Sequence, residues 1–147
     1  MSEDVLQAPD IHLLTQIGLL GAGAGKTLHA ATHQLFHGLM VLRPERDFAY
    51  IGMACAHLNL QHPEDAVHVL EQGLRVMRCA GHDPKSADIA MVQAFLGMTL
   101  LMVRRTSEAL TLLDTVVTNN VSPPALRMAQ ALLGLPHTET EPLQESA

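Results

Sequence analysis

A glycine-rich segment followed by lysine and threonine is the first place where these residues could do chemistry. Residues 21–27 are Gly-Ala-Gly-Ala-Gly-Lys-Thr. A phosphate-binding loop needs four residues between its first glycine and Gly-Lys-Thr, because its backbone amides wrap the phosphates. Position 20, where that glycine would stand, is Leu20. No strand is predicted before the segment, so we interpret it as a turn between helices that exposes Lys26.

Three histidines form a second candidate site. His29, His33 and His37 follow one another at every fourth position, which places them on one face of a helix. Imidazoles at this spacing can share a transition metal. No Cys, Asp or Glu stands at partner spacing, so we interpret the row as a solvated face and assign no metal ligand and no cofactor. A nucleotide- or metal-dependent protein built on Lys26 or this row stays open as an alternative.

No constellation of side chains predicts catalysis. Ser86, Ser107 and Ser122 have no histidine and acid at diagnostic spacing, and neither Cys55 nor Cys79 lies in a nucleophile motif. The sequence therefore predicts a non-enzymatic protein without catalytic residues. Both cysteines lie inside helical patterns, which predicts no disulfide and a reducing compartment.

Composition narrows the class of protein. The chain has 147 residues, 48% of them hydrophobic and 3% aromatic, with a formal net charge of −6. The length fits one domain, and the acidic balance argues against binding nucleic acid. The longest apolar stretch, 89–103, is too short to span a membrane, and no signal peptide is evident at the N-terminus. We expect an intracellular protein without membrane insertion.

Prolines and glycines divide the chain into pieces of helical length. We predict an all-α fold with helices at 11–20, 28–42, 47–60, 63–79, 86–103, 106–118 and 123–133. These helices form one domain over 11–135. A flexible arm over 1–10 and a flexible acidic tail over 136–147 flank it.

Two segments, 50–73 and 93–116, align without gaps. The shared pattern is a large residue followed by a small one, then Ala twelve positions after the small residue, then two further apolar positions. It is filled by Met53-Ala54, Ala66, Leu70 and Gly73 in the first segment, and by Leu96-Gly97, Ala109, Leu113 and Val116 in the second. A weaker earlier copy contains Phe36, Leu39 and Pro44, with Thr32 and Leu20 where small residues are expected.

This pattern resembles the tetratricopeptide repeat. The resemblance implies a right-handed solenoid of about three helix pairs, with 123–133 covering its open end. It also implies that the first helix of each pair lines a concave groove. We call ten residues the groove positions, and all of them are apolar or cysteine: Leu14, Ile17, Phe48, Ile51, Cys55, Leu58, Met91, Ala94, Met98 and Leu101.

The size, the apolar groove positions and the segment 42–74 resemble the tetratricopeptide chaperones of bacterial type III secretion. The resemblance implies a chaperone or adaptor in the bacterial cytoplasm that binds an apolar segment of a secreted translocator, needle or export subunit. It leaves open whether a small co-chaperone takes part. The alternative is that the same apolar surface is buried by self-association in a homodimer, or by the chain's own N-terminal arm or C-terminal helix.

Overall fold

The computed structural model describes residues 8–23 and 29–136, and all regular secondary structure in these ranges is α-helical. The all-α prediction is therefore confirmed at the level of fold class. Each of the seven described helices lies within three residues of its predicted position: α1 Ala8–Gly23, α2 His29–Leu42, α3 Phe48–Asn59, α4 Pro63–Cys79, α5 Ala87–Met102, α6 Thr106–Asn119 and α7 Pro123–Leu133. None of them is long and apolar enough to cross a membrane.

The N-terminal part differs from the prediction. Helix α1 begins at Ala8 and includes Pro9, which fits the first turn of a helix because its missing N–H would have no partner there. At its other end α1 includes 21–23, so the glycine-rich segment begins inside a helix and not in a turn. Lys26 and the rest of 24–28 lie outside the described residues, as do 1–7 and 137–147.

Local chemistry explains where the helices begin. Helix α4 starts at Pro63 with Glu64 and Asp65 in its first turn, where carboxylates meet the positive end of the helix dipole. The hydroxyl of Ser86 accepts a hydrogen bond from the Ile89 amide at 3.2 Å and caps α5. Ser122 caps α7 in the same way. These positions depend on a few neighbouring residues, so the sequence predicts them well.

The ends of α3 and α5 have the same geometry. Gln61 and Arg104 both have φ of 63°, in the left-handed region. After Gln61, the amide of His62 donates to the carbonyl of His57 at 2.9 Å, and the equivalent bond from Arg105 to Leu100 also measures 2.9 Å. This bond pattern closes the last helical turn and reverses the chain.

Each helix packs against the next in the chain, and the odd-numbered helices also contact one another, α1 with α3, α3 with α5 and α5 with α7. The core has three parts: one between α2 and α3 around Phe36, one among α3, α4 and α5 around Leu70, and one among α5, α6 and α7 around Leu113.

Close helix approaches depend on glycines. A Cβ at Gly18 or at Gly52 would clash with the ring of Phe36, so α2 inserts this ring between α1 and α3. Gly97 admits Leu113 of α6 in the same way. Thr32 is buried and packs against Gly21. The repeat alignment expected a small residue one position earlier, at Leu20.

Candidate functional site

Nine of the ten groove positions retain exposed surface. On α3, Phe48, Ile51, Cys55 and Leu58 are half-buried and recur every three or four residues, so they share one face of the helix. On α1, Leu14 is half-buried and Ile17 is 50% exposed. On α5, the half-buried groove positions are Met91, Met98 and Leu101.

Ala94 is the exception, and its placement at the groove was wrong. It is 0% exposed and packs in the same cluster as Ala125 and Ala129 of α7. Small side chains on both helices let α7 approach α5 closely. With α4 and α6 on its other sides, α5 has nine of its 16 residues buried. Part of the apolar surface of α5 is therefore covered within the chain itself, as one alternative expected.

Most of the remaining groove positions pack against the core. Ile51, Leu58 and Leu101 pack against the cluster among α3, α4 and α5, while Leu14 and Phe48 pack against the cluster around Phe36. Side chains held on one side and open on the other form a fixed apolar surface, and such a surface binds a partner with little loss of side-chain entropy.

Further exposed apolar residues extend this surface beyond the predicted positions. Leu13 is 55% exposed, and Met102 at the end of α5 is 54% exposed. Leu13 lies four residues before Ile17, so the two side chains are neighbours on α1. Its exposure could not be deduced from sequence, because α1 is apolar on several faces.

Cys55 lies in the middle of the apolar surface. Its burial raises the pKa of the thiol, which leaves it protonated and a poor nucleophile at neutral pH. Cys55 and the exposed Cys79 are both free. The Cys55 thiol serves as an apolar contact.

A polar cavity adjoins the apolar surface at Phe48. Its volume is about 440 Å³. Apart from Phe48, its walls come from α1 and from the connection between α2 and α3: His12, Thr15, Arg43, Glu45, Arg46 and Asp47. Both signs of charge line it, so it offers donors and acceptors to polar atoms next to an apolar contact.

Two carboxyl groups meet beside this cavity. Burial, together with the hydrogen bond and charge of Asp88, raises the pKa of Asp47 to about 7. Arg46 opposes the shift, and its Nε lies 3.6 Å from Asp88. The pair joins the start of α3 to the start of α5, and below about pH 7 a proton on Asp47 lets its carboxyl donate a hydrogen bond to Asp88. No sequence pattern predicts this pair, because the two residues are far apart in the chain.

The histidine row is not the wholly solvated face that the sequence predicted. His57 of α3 lies beside it, with its ring centroid 6.1 Å from that of His29 and 6.4 Å from that of His33. His29 and His33 are 6.0 Å apart, so the three rings form a nearly equilateral triangle. Burial lowers the pKa of His57, against the opposing charge of Asp65. The imidazole is therefore neutral at pH 7.

His57 also approaches the start of α4. Ligand atoms of His57, His62 and Asp65 all lie within 4.8 Å of one another, and His62 Nδ1 is 3.6 Å from Asp65 Oδ2. The Nδ1 atom of His57 is buried without a hydrogen-bond partner among the described residues.

Comparison with profiles of known protein families, with curated proteins and with solved structures finds no match to this chain. The function is therefore argued from the surface and the fold of the chain itself.

Proposed function

We propose that this protein is a non-enzymatic adaptor or chaperone that binds an apolar segment of another polypeptide along α1, α3 and α5. The observation that carries the proposal is the half-exposed apolar surface formed by the groove positions other than Ala94. Contiguous apolar surface of this kind on a small domain is typical of an interaction site.

The helix order supports a tetratricopeptide-like solenoid as the scaffold. Contacts run from each helix to the next and between successive odd-numbered helices, as in a stack of antiparallel helix pairs. The 50–73 and 93–116 segments also agree in burial. Ala66 and Ala109 are both 0% exposed, as are Leu70 and Leu113. The chain turns at Gln61 and Arg104 match at the same offset.

The chemistry of the apolar surface indicates which kind of polypeptide segment it binds. None of the groove positions is Lys, Arg or Asn, the residues that a clamp for a peptide carboxylate needs. Methionines such as Met91 and Met98 adapt their shape to varied apolar ligands. An amphipathic helix or an extended apolar segment is the guest that fits. The polar cavity at Phe48 lies where polar atoms at one end of that segment would bind.

The resemblance of 42–74 to chaperones of type III secretion narrows the client to a translocator, needle or export subunit in a bacterial cytoplasm. Binding the apolar segment of such a subunit beforehand would prevent premature assembly. On this proposal the protein releases its client to the export machinery.

The test is capture of a secretion subunit encoded beside this gene, by co-expression and pull-down. Ile51→Asp with Met98→Asp should abolish capture while circular dichroism shows unchanged helicity. Ile17→Asp, at a more exposed position, should weaken capture without affecting the core. The matched control is Leu110→Asp, which places the same charge on an exposed leucine of α6, outside the groove positions.

Capture by the double variant at the wild-type level would refute the proposed surface. Light scattering on the purified chain tests the alternative. A monodisperse dimer that captures no subunit, and that the double variant converts to a monomer, would show that the surface serves self-association.

A further inference from the structure

We propose that the chain binds one divalent transition-metal ion, of the class of zinc, at a site formed by His57, His62 and Asp65. One histidine at the start of α2, His29 or His33, completes the coordination. Neutral imidazole and carboxylate are ligands that zinc and its neighbours prefer. This inference does not rest on the proposed function, because it concerns a different face of α3.

The chain turn after α3 places the three ligands together. The amide of His62 donates to the carbonyl of His57 at 2.9 Å, so the turn brings His62 back against the last turn of α3. Asp65 follows three residues later in the first turn of α4, and its carboxylate already pairs with His62 at 3.6 Å. This turn therefore brings together three ligands that have the spacing His-x4-His-x2-Asp in the sequence.

The distances are close to those of a bound site. The three ligand atoms lie within 4.8 Å of one another, and around a tetrahedral zinc ion they would be about 3.4 Å apart. The side chains of His62 and Asp65 are 58% and 63% exposed, so rotation of these two can close the gap. Ring centroids of two zinc-bound imidazoles are about 5 Å apart, and His29 and His33 lie 6.1 Å and 6.4 Å from His57.

The turn after α5, in the segment 93–116, is equivalent to the turn after α3 and carries other residues at the three ligand positions. His57, His62 and Asp65 correspond to Leu100, Arg105 and Glu108 at the offset that aligns the two segments. Arg105 and Glu108 form an ordinary exposed ion pair, with 2.6 Å between Nη2 and Oε2. An ion pair alone could therefore explain His62 and Asp65.

An ion pair does not explain His57. The corresponding Leu100 is a buried core residue, and His57 replaces it with an imidazole whose Nδ1 is buried without a partner among the described residues. Buried polar atoms without partners are rare in folded proteins. A metal ion bound at this nitrogen would supply the missing partner. It would also join α2 to α3 and α4.

The test is isothermal titration of the full chain, purified without a histidine tag, with zinc chloride. We expect one saturable site and a higher melting temperature in the presence of zinc, because a ligand that binds only the folded state stabilises it. Cobalt(II) should give the intense visible bands of tetrahedral coordination. His57→Leu restores the residue of the second segment and should fold well, yet weaken zinc binding at least about 10-fold.

Asp65→Asn, a change on the exposed surface, should weaken binding by at least about the same factor. The matched control is His37→Ala, because the ring of His37 stacks on His33 in the row and is not among the proposed ligands. Wild-type affinity in His57→Leu, or no saturable binding at all, would overturn the proposal. Equal weakening by His37→Ala and His57→Leu would also overturn it, since binding would then belong to the exposed row.

Discussion

Replacing Asp47 by asparagine should stabilise the protein more at pH 8 than at pH 5. The Asp47 carboxyl is half-buried and hydrogen-bonded to Asp88, and its pKa in the folded protein is about 7 against 3.8 for the unperturbed group. Asparagine has the same shape, carries no charge, and can donate its amide N–H to Asp88. The substitution therefore removes a proton equilibrium while it keeps the contact.

The sign follows from proton linkage. Between pH 3.8 and about 7 the folded protein holds a proton on Asp47 that the unfolded chain has lost. Stability from this group is thus fully present below pH 3.8 and decreases as the pH rises to about 7. The two pH units between pH 5 and about 7 would correspond to a loss of about 2.7 kcal/mol in the free energy of unfolding. Because Asp47 is partly exposed and Arg46 lies nearby, solvent and charge screening reduce our expectation to about 1 to 2 kcal/mol.

Thermal or urea unfolding of wild type and Asp47→Asn at pH 5 and pH 8 measures the effect. Other pH-dependent contributions are common to both proteins, so the informative quantity is the difference between the two proteins at each pH. The advantage of the variant in melting temperature should be about 3 to 6 °C larger at pH 8 than at pH 5. Asp114→Asn, at an exposed position of α6, is the control and should show no such difference. A variant that follows the wild type at both values would refute the carboxyl pair.

Two further predictions test the packing. Phe36 is 0% exposed and lies between two glycines, so Phe36→Ala should lower the free energy of unfolding in urea by about 3 to 5 kcal/mol. Phe48→Ala, at a half-buried position, should lower it clearly less. Equal losses in the two variants would contradict the insertion of the Phe36 ring between α1 and α3. A thiol reagent such as Ellman's should modify the exposed Cys79 quickly and Cys55 slowly, since burial raises the pKa of the Cys55 thiol; Cys79→Ser should remove the fast phase and no other.

The helices could be predicted because their limits depend on neighbouring residues. Pro63 with two acids, Ser86 and Ser122 each mark a helix start within one turn of chain. The repeat pattern also places a small residue at Gly97, and a Cβ there would clash with Leu113 of α6. In the weaker first copy the alignment expected a small residue at position 20, whereas the small residue that lies against Thr32 is Gly21. A one-residue difference in a glycine-rich connection leaves no pattern from which it could be deduced.

The error at Ala94 has a different cause. Helical periodicity places Ala94 and Met98 on one face of α5. It does not show that α7 covers the part of that face around Ala94. Only the small residues Ala125 and Ala129 of α7 pointed that way. The Asp47–Asp88 pair and the approach of His57 to the row likewise depend on contacts between helices. Such contacts have no local signal in a single sequence.

Helix α3 carries both proposals on separate faces. Cys55 and His57 are two residues apart, which corresponds to about 200° around an α-helix, so the apolar surface and the histidine cluster point away from each other. A metal at His57 would join α2 and α4 to one face of α3, while the opposite face of α3 binds the apolar segment of the partner. Zinc removal should therefore lower stability without removing any apolar contact. Ile51→Asp with Met98→Asp should in turn remove capture without changing zinc affinity. If one perturbation abolished both properties, unfolding of α3 would be the common cause, and circular dichroism of the same samples would show it.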